Sequence, residues 1–171
     1  MKNMQVPAEF AHPLFYREGD EMEIKEEISI GDASAYPFIF DIYYNKQIPL
    51  PIKPWSERDK TLKEIAYMWR VKQAAISFVH KERNKKKVMV ELPNVIALYI
   101  SFLFWINGKP VSNLKYLHSE IEKLVWKPVN VTERLSFILT KPYLYHSFVQ
   151  LNELFMETEK LFVKVKIKEK L

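Results

Sequence analysis

From Val95 to Ile106 the chain passes through twelve residues without a charge, preceded by Glu91, Pro93 and Asn94 and followed by Asn107, Gly108 and Pro110. A membrane span needs about 20 such residues, so this run predicts a helix buried on all sides by its own protein, with no membrane role. Pro93 suits the first turn of that helix, and Gly108 with Pro110 supplies its stop.

The segments around it carry one-sided patterns. Leu62, Ile65, Ala66, Trp69, Ile76 and Val79 recur at spacings of three, four and seven, which predicts an amphipathic helix that Ser56 opens as N-cap and that ends near His80 to Asn84. Leu114, Leu117, Ile121 and Leu124 mark another, capped by Ser112 and stopped by Pro128. Asn130-Val131-Thr132-Glu133 has the spacing of a capping box and opens a short helix through Leu139. Thr140-Lys141-Pro142 breaks it. Leu144, Phe148, Leu151, Phe155, Phe162 and Val165 then define a last helix, with Thr158 as its polar interruption. Pro37 to Tyr44 is a short apolar run that period alone assigns to neither helix nor strand. The expected fold class is all-α: an irregular single-domain helical bundle of five or six helices around a buried central helix.

Composition agrees. At 171 residues, 48% hydrophobic and 14% aromatic, the chain is long and apolar enough to bury a core without staples. Charge divides it. Residues 1–34 carry eight acids and three bases, a net of −5, which leaves +10 on residues 35–171 of the +5 total. The expected organisation is an acidic, poorly ordered arm (1–34) on a basic helical domain (35–171). The arm is either solvated or folded back on that domain, where it would neutralise the cations a partner needs.

The chemistry that can be excluded is broad. No cysteine means no disulfide, thiolate nucleophile or Cys-ligated metal, and suits a reducing, cytoplasmic setting. Three scattered glycines make neither a P-loop nor a dinucleotide fingerprint. The four histidines form no H-E-x-x-H pair, and the single E-x-x-H at Glu9 and His12 lacks the second copy a di-iron helix pair requires. His118 and Glu122 read as a helix-surface pair. The four tryptophans lie on apolar faces or at helix starts; base stacking would require an exposed aromatic flanked by cations. No cofactor is expected.

Two constellations remain. Lys81, Arg83, Lys85, Lys86 and Lys87 place five cations in seven residues with Glu82 the one acid among them. Such a run is ordinarily a solvated connection; its functional reading is a weak, sequence-independent contact with nucleic-acid phosphates. Asn130, Glu133, Arg134, Tyr145, His146 and Gln150 form the densest polar group among core-forming helices. They can line a cleft in which His146 serves as acid or base and Arg134 binds an anion, or they can simply cap and pair.

The blocks Phe104-Trp105-Ile106-Asn107-Gly108-Lys109-Pro110-Val111, Lys127-Pro128-Val129-Asn130 with Glu133-Arg134-Leu135, and Tyr145-His146-Ser147-Phe148 with Gln150-Leu151 resemble the YpoC family of Bacillus and its relatives. With Pro37 to Asp41 they extend over most of residues 35–160. The resemblance carries no catalytic or ligand residue onto particular positions. It implies a neighbourhood: genes of this family often lie beside those for a DnaD-type replication protein and a base-excision glycosylase, a link by association alone. The expected function is that of a cytoplasmic helical interaction protein, an accessory to DNA replication or repair acting through its basic surface or through a protein partner. The alternative is a small enzyme at Arg134, Tyr145 and His146.

Overall fold

Six helices carry the architecture: α1 (Ile39–Asn45), α2 (Arg58–Lys81), α3 (Lys85–Ile106), α4 (Leu117–Glu122), α5 (Val131–Thr140) and α6 (Tyr145–Glu169). The computed structural model covers residues 1–171. Besides the helices there is one antiparallel hairpin, β1 (Lys2–Gln5) with β2 (Glu21–Ile24), in the register Lys2 opposite Ile24. The fold is predominantly α, as the periodicity predicts.

α2, α3 and α6 form the centre. α2 and α3 are an antiparallel hairpin of helices, joined by Glu82–Asn84 and tied near its middle by a Lys72–Glu91 ion pair at 3.0 Å. Every residue of α3 from Val95 to Ile106 is buried, so the uncharged run is indeed the core of the protein. α3 is long and apolar enough to cross a membrane by composition, but most of that stretch is covered by the other helices. Arg58, half-buried at the start of α2, donates to the Ile106 carbonyl at 2.9 Å and pairs with Glu169 at 2.5 Å. One guanidinium thus joins the beginning of α2 to the ends of α3 and α6, and its charge complements the negative end of the α3 dipole.

Helix boundaries depart from the sequence reading in four places; one is α4, which opens at Leu117 after Tyr116 with no side-chain cap, so Ser112 does not cap it and Leu114 and Leu124 lie outside it. α3 begins at Lys85, not near Pro93, which lies inside it. Proline removes one backbone hydrogen bond, but Val88 and Leu92 extend the buried stripe of Val95, Ile96 and Tyr99 by helical steps, and their burial outweighs the loss. Ser56 caps nothing. α2 starts two residues later, where buried Thr61 donates to the Pro54 and Glu57 carbonyls. Asn130 precedes α5 with a left-handed φ of 56° and no side-chain cap bond.

Residues 1–34 are not the loose arm that their charge suggests. Phe10 is fully buried and Val6 and Ala33 nearly so, all within the same core cluster as α3. Phe10 and Phe15 pack on Phe38 with ring centroids 5.9 and 5.0 Å apart, Tyr16 donates to the Pro37 carbonyl, and Leu114 N donates to the Glu9 carbonyl. Ten apolar or aromatic side chains spread without period over this segment escape a helical-wheel reading, yet suffice to dock it. Its acids stay out of the way. The segment's one ion pair, Lys25 with Asp32, is internal. Phe10→Ala is expected to lower stability by about 3 kcal/mol, measured by urea denaturation; an unchanged midpoint would mean that the segment is not part of the cooperative core.

Candidate nucleic-acid interface

The basic run sits at the corner where α2 turns into α3. α2 closes with paired backbone bonds, Asn84 N to the Val79 carbonyl and Arg83 N to the His80 carbonyl, around Arg83 at φ 53°. That is a Schellman turn with arginine where glycine is usual. Asn84 then caps α3, its side-chain oxygen accepting from Lys87 N at 3.3 Å. Lys85, Lys86 and Lys87 are therefore the first turn of α3 and not connection, as the sequence alone suggested. Cations there oppose the helix dipole by a few tenths of a kcal/mol or more each.

All five cations are exposed, and none has an ion-pair partner within 4.0 Å; Arg58, Arg70, Lys72, Arg134 and Lys166 elsewhere on the helices are paired, while Lys60, Lys160, Lys164 and Lys168 are unpaired as well but at a lower density along the chain. No acid of residues 1–34 reaches them. The corner thus carries a net positive charge, five cations against Glu82. Against it lies a cavity of about 410 Å³ that the sequence gives no sign of, lined by His80, Arg83, Lys85, Val88 and Met89 from the α2–α3 side and by Tyr143 and Leu144 from the α5–α6 connection. These two loops are some sixty residues apart in sequence and meet only in the fold.

The polar group on α5 and α6 is divided between two places. Arg134 makes a bidentate pair with Glu157, 2.9 Å on each arm, and donates to Gln150 at 3.4 Å; Glu157 first of all holds its pKa up. It clamps α5 to α6. His146 is exposed, 3.4 Å from Gln150 and edge-on to Phe137. Asn130 and Glu133 point into solvent at the start of α5. Tyr145 lies elsewhere, edge-on to His80 with centroids 5.3 Å apart. Five cavities indent the protein without touching Arg134, Tyr145 or His146. One, about 510 Å³, runs between His12–Leu14, α4 and α5; His12 there already accepts from Leu14 N through Nδ1.

A further polar centre escaped the sequence reading. Asp41 on α1 is buried among apolar side chains, where Oδ1 accepts from Trp105 Nε1 at 3.0 Å and Val111 N at 2.7 Å, and Oδ2 accepts from Ser101 at 3.3 Å. Burial pushes its carboxyl up to about 7, against the opposing pull of these three donors. A lone acid inside Phe38-Ile39-Phe40-Asp41-Ile42-Tyr43 was the available signal. No cation faces it.

Fold and surface together define a single-domain, predominantly helical protein with a basic corner whose five cations have no ion-pair partner. The chain belongs to the YpoC-like family, whose model matches residues 59–170, from the start of α2 to the end of α6. It is 32% identical over 128 residues to the Bacillus subtilis protein described as "Uncharacterized protein YpoC", covering 75% of this chain and 76% of that one. No solved structure matches. The basic corner falls within the family match; the docked N-terminal segment and Asp41 precede it.

Proposed function

We propose that this protein is a cytoplasmic accessory factor of DNA replication or repair that contacts the nucleic-acid backbone, independently of sequence, through the α2–α3 corner. The observation that carries the reading is the set of five exposed cations, Lys81, Arg83, Lys85, Lys86 and Lys87, none with an acidic partner. Elsewhere the fold spends its helix-borne arginines on internal pairs; here it concentrates lysines at the end of a helix whose dipole already repels them. A line of phosphates relieves both repulsions at once.

The test is fluorescence anisotropy with labelled DNA over a range of salt concentrations. Five neutralised phosphates give a slope of log K on log [salt] no steeper than about −4.5 on duplex, so binding is modest and fades near physiological salt. Reversing Lys85, Lys86 and Lys87 to Glu should abolish it. That triple variant is expected to fold, since the three side chains are exposed and carboxylates suit the first turn of a helix. Absent binding at low salt, or an unchanged slope after the reversal, would leave a protein partner as the occupant of this corner.

A further inference from the structure

Resting on the phosphate reading of the corner, we propose that the cavity beside it receives one unpaired base, so that the protein holds single-stranded nucleic acid in preference to duplex. The lining of the cavity combines the chemistries that a nucleotide carries. Arg83 and Lys85 supply charge; Val88, Met89 and Leu144 supply apolar surface; Tyr143 supplies an aromatic ring. At about 410 Å³ it lies near the lower end of the roughly 300 to 1,000 Å³ typical of small-molecule sites, which suits one planar ring system and is too little for a helix of a partner protein.

Tyr143 meets the requirement that all four tryptophans fail. It is 40% exposed, it stands on the short connection between α5 and α6 with Lys141 two residues before it, and it shares a cavity with Arg83 and Lys85. Exposed aromatics beside cations are the platforms on which successive bases of a single strand stack, whatever their sequence. His80, on the same wall, stacks on Phe148 with centroids 5.3 Å apart, and its Nε2 is buried without a hydrogen-bond partner. Burial lowers its pKa, which keeps the ring neutral near pH 7, so that this part of the wall adds no charge to that of Arg83 and Lys85. Bases within a duplex are stacked on each other and reach such a cavity only by flipping out, at a cost of a few kcal/mol. Phosphates alone would need neither the apolar wall nor the tyrosine.

The experiment compares three labelled probes over a range of low salt concentrations: a short oligothymidylate, an abasic oligomer of the same length, and a duplex. Base stacking predicts that oligothymidylate binds roughly 5- to 150-fold more tightly than the abasic strand, and more tightly than the duplex. Tyr143→Ala should remove that advantage and Tyr143→Phe retain it, both with the salt slope unchanged, because neither alters a cation. Circular dichroism confirms that both variants are folded. Equal affinity for oligothymidylate and abasic strand, or an advantage that survives Tyr143→Ala, overturns the inference; if the lysine reversal still abolishes binding, the corner remains a phosphate contact. Absence of binding to all three probes defeats both readings together.

Discussion

Replacing Phe155 with Ala is expected to destabilise the protein by about 3 to 5 kcal/mol, because this one ring joins the three central helices. On α6, it stacks on Trp69 of α2 with centroids 4.0 Å apart and planes within 9°, meets Tyr99 of α3 edge-on at 5.0 Å, and stacks on Phe102 at 5.5 Å. It is fully buried. Truncation leaves a cavity walled by three large aromatics that cannot collapse without moving helices, and forfeits pair geometries worth about 0.5 to 1.5 kcal/mol each beyond area. Ile167, 76% exposed on the same helix, should change by no more than about 0.5 kcal/mol when truncated. Guanidinium denaturation of the two variants is the check. Equal midpoints would mean that α6 does not share the core of α2 and α3.

The second large effect is tied to pH. Asp41 titrates near 7 in the folded protein and near 3.8 when unfolded, so its neutral form is the one the fold favours. Its contribution to stability is complete below the unfolded value and is lost as pH rises through about 7, a difference on the order of 4 kcal/mol. Other groups run the opposite way: the Lys166 hydrogen bond holds Asp59 below its usual value, and burial lowers His12 and His80. The decisive quantity is therefore the difference between wild type and Asp41→Asn. Asn can accept from Trp105 and Val111 through its oxygen and donate to Ser101, so the variant should match wild type near pH 3.5, exceed it modestly near pH 5 and exceed it most near pH 8. Asp41→Ala leaves two buried N–H groups without an acceptor, at about 1 to 3 kcal/mol each, and should be the less stable chain at pH 5. Thermal melts across this range decide it. A stability difference between wild type and the Asn variant that does not vary with pH would place Asp41 in contact with water.

Much of the helical framework was legible because its signals are local. Twelve uncharged residues fix a buried helix, and the spacing of Phe148, Leu151, Phe155, Phe162 and Val165 fixes the inner face of α6, whereas Leu144, expected on that face, is the exposed residue just before the helix. Even the polar interruption of that face is resolved by the fold and not removed: Thr158 lies 3.1 Å from the Tyr99 hydroxyl, inside the core. Boundaries were less legible where a local preference lost to burial, as at Pro93. The docking of residues 1–34 had no local signature at all, since Phe10, Phe15 and Tyr16 find their partners on Phe38, Pro37 and the residues before α4 and not on each other by period.

The same division holds for the candidate site. The five cations are adjacent in sequence, so their density was evident from the chain itself, and so was the absence of cysteine, glycine-rich and histidine-pair chemistry. Whether those cations were free depended on where every acid of the protein ended up, which is a property of the whole fold. Only the packing of the α5–α6 connection against the α2–α3 corner brought Tyr143 and Leu144 to Arg83 and Lys85, and only the clamp from Arg134 to Glu157 separated Arg134 from Tyr145. Sequence determined which segments would be helical and which face of each would be apolar, because those follow from backbone geometry and nearest neighbours. Tertiary structure decided which polar groups meet, because pairing across the bundle depends on contacts between residues that no spacing along the chain encodes.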